Sequence, residues 1–104
     1  MDLSQVNPWS ASSASGGSSG ATTTHAAVSG RQHFVTSVSG HTDGDSTVQI
    51  KDGSTVVWEA KVDVSVEGWS FSFNVEAVPI TPGAATSGAV SAGTSHINLT
   101  GFTV

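Results

Sequence analysis

From His33 onward, β-branched and aromatic residues alternate with Ser, Thr and charged side chains, the period of two expected of strands with one buried face. The clearest run spans residues 56–66. Val56, Trp58, Ala60, Val62, Val64 and Val66 fall on one side of it, and Val57, Glu59, Lys61, Asp63 and Ser65 on the other. Trp69, Phe71, Phe73 and Val75 repeat the rule against Ser70, Ser72, Asn74 and Glu76. No comparable 3.6-residue stripe occurs, so the expected fold class is all-β.

Turn signals punctuate this pattern at Gly40-His41-Thr42-Asp43-Gly44-Asp45, at Glu67-Gly68 and at Pro79-Ile80-Thr81-Pro82-Gly83. Six to eight short strands at such spacing predict a single antiparallel β-sandwich or jelly roll. A three-residue turn, Lys51-Asp52-Gly53 with Gly53 left-handed, would set Ile50 opposite Ser54 and Val48 opposite Val56, with every even-numbered apolar residue on one face. A two-residue Asp52-Gly53 loop would split them. In the last stretch Ile97 and Leu99 are expected inward, followed by a phase shift to Phe102 and Val104 through a bulge at Gly101.

The amino-terminal part differs. Residues 10–24, SASSASGGSSGATTT, contain no large apolar side chain and on their own would behave as a flexible linker. Ahead of them Leu3, Val6, Pro8 and Trp9 form a short apolar cluster. The expected organisation is therefore an extended arm over residues 1–24 and a β-sandwich body over residues 25–104. Leu3, Val6, Pro8 and Trp9 are the candidate partner-binding anchors of that arm, and its removal should leave the body folded.

Composition narrows the partners. Charged residues make up 11% of the 104, against roughly 25% in an ordinary soluble domain, and small uncharged residues take their place. Such a surface can approach another protein closely without desolvating many charges. The net charge is −5 and the only cations are Arg31, Lys51 and Lys61, too few to neutralise a row of phosphates, so neither nucleic acid nor an anionic membrane is an expected partner. With no cysteine there is no disulfide framework and no thiolate metal site. The first nine residues lack the basic and apolar regions of a signal peptide, and no apolar run approaches membrane-spanning length; use without secretion is expected.

The search for chemistry yields little. Asp43, Asp45 and Asp52 lack the ligand ladder and closing Glu of a calcium loop, so solvated turn acids are expected. His25, His33, His41 and His96 show no paired metal-ligand spacing and are expected at the surface or at an interface. No nucleophile elbow, P-loop or dinucleotide fingerprint occurs, so neither catalytic residues nor a cofactor are expected and the chain is read as a non-enzyme. Asn98-Leu99-Thr100 fits a glycosylation sequon but lies in an expected strand. Trp58 and Trp69 share the parity of the inward residues, which leaves Trp9 as the tryptophan expected to meet a partner.

The segments His33-Phe-Val-Thr-Ser-Val-Ser-Gly40, Val48-Gln-Ile-Lys-Asp-Gly-Ser-Thr-Val-Val-Trp-Glu59 and Phe71-Ser-Phe73 resemble a family of small tailed-bacteriophage structural proteins, over roughly residues 25–104. The resemblance implies a jelly-roll-like head decoration, or cement, protein. It further implies a homotrimer bound to the major capsid protein on the outer capsid surface of the virion, stabilising the shell. The Ser/Gly-rich stretch 81–95 departs from that pattern. The alternative is a tail, baseplate or fibre-associated module, one that could bind glycans through an exposed aromatic groove.

Overall fold

A computed structural model describes residues 7–15, 20–63, 68–73 and 76–104. Nine strands are present and no helix occurs among the described residues: β1 (Asn7–Ser15), β2 (Ala21–His25), β3 (His33–Thr42), β4 (Ser46–Asp52), β5 (Thr55–Val62), β6 (Trp69–Ser72), β7 (Val78–Pro79), β8 (Thr86–Val90) and β9 (Ser95–Thr103). They form two antiparallel sheets, one ordered β1-β9-β3-β6 with β7 also on β3, the other β2-β8-β4-β5. Setting the two-residue β7 aside, the first strand pairs with the last and the second with the last but one, and so inward to the β4–β5 hairpin, successive pairs alternating between sheets. A long hairpin rolled up in this way is a jelly roll.

The core lies between the sheets. Val35, Val38, Val48, Ile50, Ile97 and Leu99 are fully buried, joined by Ile80 and Val90. Each such side chain contributes on the order of 1.5–3 kcal/mol relative to exposure. On β9 the alternation is unbroken: Ser95, Ile97, Leu99, Gly101 and Thr103 are buried and the residues between them are half-buried.

Residues 7–15 and 21–25 belong to the body. The expected boundary at residue 24 falls inside β2, and β1 pairs with β9 along all nine of its residues. The reason is local. An edge strand needs a neighbour on one side only, and near the rim small residues suffice to fill the space between sheets, as buried Ala21 and Thr23 do in β2. A tract without large apolar residues can therefore supply both edge strands, one to each sheet, although alone it has nothing to bury.

Three phase expectations are corrected. The β4–β5 turn has two residues, Gly53 and Ser54, between paired Asp52 and Thr55, and Gly53 has φ +60°, suited to such a tight turn. A bulge at Val57 follows, so Ile50 faces Trp58 and Val48 faces Ala60. Trp58, Ala60 and Val62 thus stay on the inner face, while Val56, opposite Lys51, turns outward and is 42% exposed. Gly101 is no bulge on β9; the irregularity lies on β3 between Val35 and Ser37 and lets both Val35 and Val38 point inward. Phe102 consequently faces out. Gly101 serves a different purpose, because a Cβ there would collide with the Phe34 carbonyl oxygen of β3 and come within 2.6 Å of Trp9 Cζ2. Val64, Val66 and Val75 lie outside the described residues.

Candidate interaction surface

The four expected anchors separate. Leu3 and Val6 lie outside the described residues. Pro8 is exposed on the outer face of β1, whereas Trp9, the next residue, turns inward and is half-buried. Its indole stacks on His25 with ring centroids 4.2 Å apart and 13° between planes, and meets the His33 ring edge-on at 5.8 Å. Trp9 therefore closes the β1/β2 flank of its own sandwich, and its Nε1 is buried with no hydrogen-bond partner among the described residues.

His33 is not at the surface. It is 1% exposed, and Ala26 O, 2.8 Å from Nε2, can only accept a hydrogen bond. That places the proton on Nε2, and in the neutral ring Nδ1 accepts from the Thr103 hydroxyl at 2.7 Å. Its parity with Val35 is the signal that marks it as inward. The His25 ring lies 4.3 Å from it, and burial, then the neighbouring His33, lower the His25 pKa from its usual value near 6.5. A pocket of about 310 Å³ opens beside this cluster, lined among others by Asn7, Trp9, His25, Val28 and Arg31.

The opposite flank is closed by a second aromatic cluster. Trp58 on the β5 edge lies 4.9 Å from Phe71 and 5.4 Å from Phe73 on the facing sheet, and Phe71 in turn is 6.0 Å from Trp69. Trp69 is buried and Trp58 half-buried, so neither ring lies open on the surface as a flat stacking platform.

The turn acids act as braces. Asp43 Oδ1 accepts from the Thr94 amide at 2.7 Å, tying the β3–β4 turn to the β8–β9 turn. Asp52 Oδ2 accepts from the Thr81 amide and hydroxyl at 3.0 and 2.7 Å. No group of three or more His, Asp or Glu side chains that could hold a metal ion occurs among the described residues. His41 and His96 stack on the outer face 5.7 Å apart, with the Asn98 amide 3.4 Å from His96 Nδ1. A second pocket of about 370 Å³, bordered by Asp45, Thr47, Lys61, Val62, Asp63 and Ser91, is open to solvent and mixed in character.

What the register assembles on the outer face of the larger sheet is a row of apolar side chains. Pro8 of β1 is paired with Phe102 of β9, Phe102 with Phe34 of β3, and Phe34 with Pro79 of β7. The two phenylalanines stack, with centroids 5.0 Å apart and planes 11° from parallel. Along the same face the row gives way to Ser10, Ser12, Ser39, Asn98 and Thr100, with Ser37 and Thr100 hydroxyls hydrogen-bonded to each other. Only Pro8 of this row was a candidate from sequence. Unbroken alternation through Ile97, Leu99, Gly101 and Thr103 is the signal that would have placed Phe102 outside.

The arrangement defines a class: a charge-poor jelly roll whose larger sheet carries a partly exposed apolar row on its outer face. No protein-family model, no curated relative and no solved structure matches the chain.

Proposed function

We propose that the protein is a structural component of a virus particle, a decoration protein that binds the major capsid protein on the outer capsid surface and stabilises the shell. The observation that carries the docking part of this reading is the Pro8–Phe102–Phe34–Pro79 row on a face that elsewhere carries Ser, Thr, Asn and the His41–His96 pair. A contiguous apolar band on a polar face marks a place where another protein displaces water. The low charge of the chain keeps the desolvation cost of a broad contact small. The placement on a phage head rests on the resemblance carried by residues 33–40, 48–59 and 71–73. The rival tail or fibre module that binds glycans would stack sugars on an exposed aromatic platform, and the internal packing of Trp69, and of Trp58 against Phe71 and Phe73, disfavours it.

The test uses shells that lack this protein. Added wild-type chain should bind them and raise their resistance to heat or osmotic shock. Phe34→Ser and Phe102→Ser, which remove half-buried outer rings, should fold but fail to bind. Wild-type chain that leaves shell resistance unchanged would discard the decoration role, and full binding by both variants would discard the aromatic row as the docking face.

A further inference from the structure

We infer that the edge of β1 that no other described strand covers pairs with β1 of a second copy, joining the larger sheets of two molecules across a two-fold axis. Backbone parity identifies the atoms. Gln32 and Val104 exchange both backbone hydrogen bonds, at 3.0 and 2.9 Å, so the even-numbered residues of β9 direct their N–H and C=O groups toward β3 and the odd-numbered ones toward β1. On β1 the partners of those odd residues are Asn7, Trp9, Ala11, Ser13 and Ser15. The N–H and C=O groups of Ser10, Ser12 and Ala14, with the Pro8 carbonyl, therefore point away from the sheet. Pro8 agrees independently, since a proline is accommodated in an edge strand where its nitrogen faces outward.

Beyond Pro8 at its start, this edge lacks the devices that keep edges apart. It is long, pairs with β9 without a bulge and carries no charged residue. The β5 edge, by contrast, is bulged at Val57 and carries Glu59 and Lys61. Charge also selects the occupant. β1, β2, β8 and β9 contain no Asp, Glu, Lys or Arg, so two copies of a chain with net charge −5 meet least repulsion on this flank. Identical antiparallel strands centred on Ala11 place Ser10 opposite Ser12 and Pro8 opposite Ala14. Only the bond that the proline cannot donate goes unmade at each end. Contact between identical strands is two-fold, whereas the three-fold ring implied by the resemblance would have to join two different surfaces.

The experiment compares purified wild-type chain with Ser12→Pro, which removes an outward N–H and leaves the β9 ladder intact. Mass by sedimentation or light scattering should show a wild-type dimer that dissociates on dilution, and a monomeric variant whose thermal midpoint matches that of the diluted, monomeric wild type. Amide exchange at Ser10, Ser12 and Ala14 should be slow in the wild-type dimer and become fast together on dilution. A wild-type monomer at every concentration, a trimer, or a dimer that survives Ser12→Pro would each overturn the inference. So would free exchange at those three amides within a dimer, a measurement that also decides the matter if the variant does not fold. The outcome is independent of the shell-binding test, so either proposal can fail alone.

Discussion

Gly101 joins two separate demands at one residue: it continues the inward alternation of β9, and it leaves room for the Phe34 carbonyl of β3 and for the Trp9 ring. Gly101→Ala should press on the Phe34 carbonyl, which cannot yield without shifting the β3–β9 pairing, and on the Trp9 ring, costing about 3 kcal/mol, the upper end of ordinary overpacking, with a red shift in tryptophan emission as the ring moves outward. An unchanged midpoint and spectrum would refute the packing described here. Ile50, fully buried, tests the core in the opposite sense: Ile50→Ala should cost about 2–5 kcal/mol in denaturant unfolding. His25 supplies a pH dependence. Because its pKa is lower folded than unfolded, it adds stability above the ordinary histidine range, and that stability is lost as pH falls through the lowered value. Melting curves below about pH 6.5 should accordingly decline less for His25→Gln than for wild type. Equal declines would remove His25 as a cause.

At the level of elements, β1 and β2 turn the expected arm into part of the sandwich. Removing residues 1–25 would strip both sheets of an edge strand and expose β9 and β8, so the truncated chain should lose its cooperative melt or aggregate. A truncated chain with the wild-type midpoint would restore the reading of a detachable arm. The strands from His33 onward were legible because large apolar residues alternate there, and Trp58, Val62, Trp69 and Ile97 lie on the inner face that alternation assigns. β1 and β2 were not legible, since Ser, Ala and Thr carry too little hydrophobic contrast to reveal a face; their strand form comes from the neighbours β9 and β8. The bulges at Val57 and near Thr36 were hidden for a related reason. Each is a choice of register made by the paired strand, which a single segment does not encode.

For the whole molecule, the sandwich class follows from strand number and turn spacing, but the jelly-roll order depends on pairings such as β1 with β9 that are distant in sequence. The surface was the least legible level. Pro8, Phe102, Phe34 and Pro79 become a row only once four strands are in register, while Trp9, singled out as an anchor, is held inside by His25 and His33. The apolar row and the uncharged β1 edge lie on one sheet, so a molecule docked through the row can still offer its edge to a second copy. The decisive measurement is a reconstruction of the intact particle with this chain located in it. A jelly roll is expected on the outside of the head shell, with Phe34 and Phe102 turned against the capsid subunit. Density for the chain at the tail alone, or on the head with those two rings facing solvent, would contradict it.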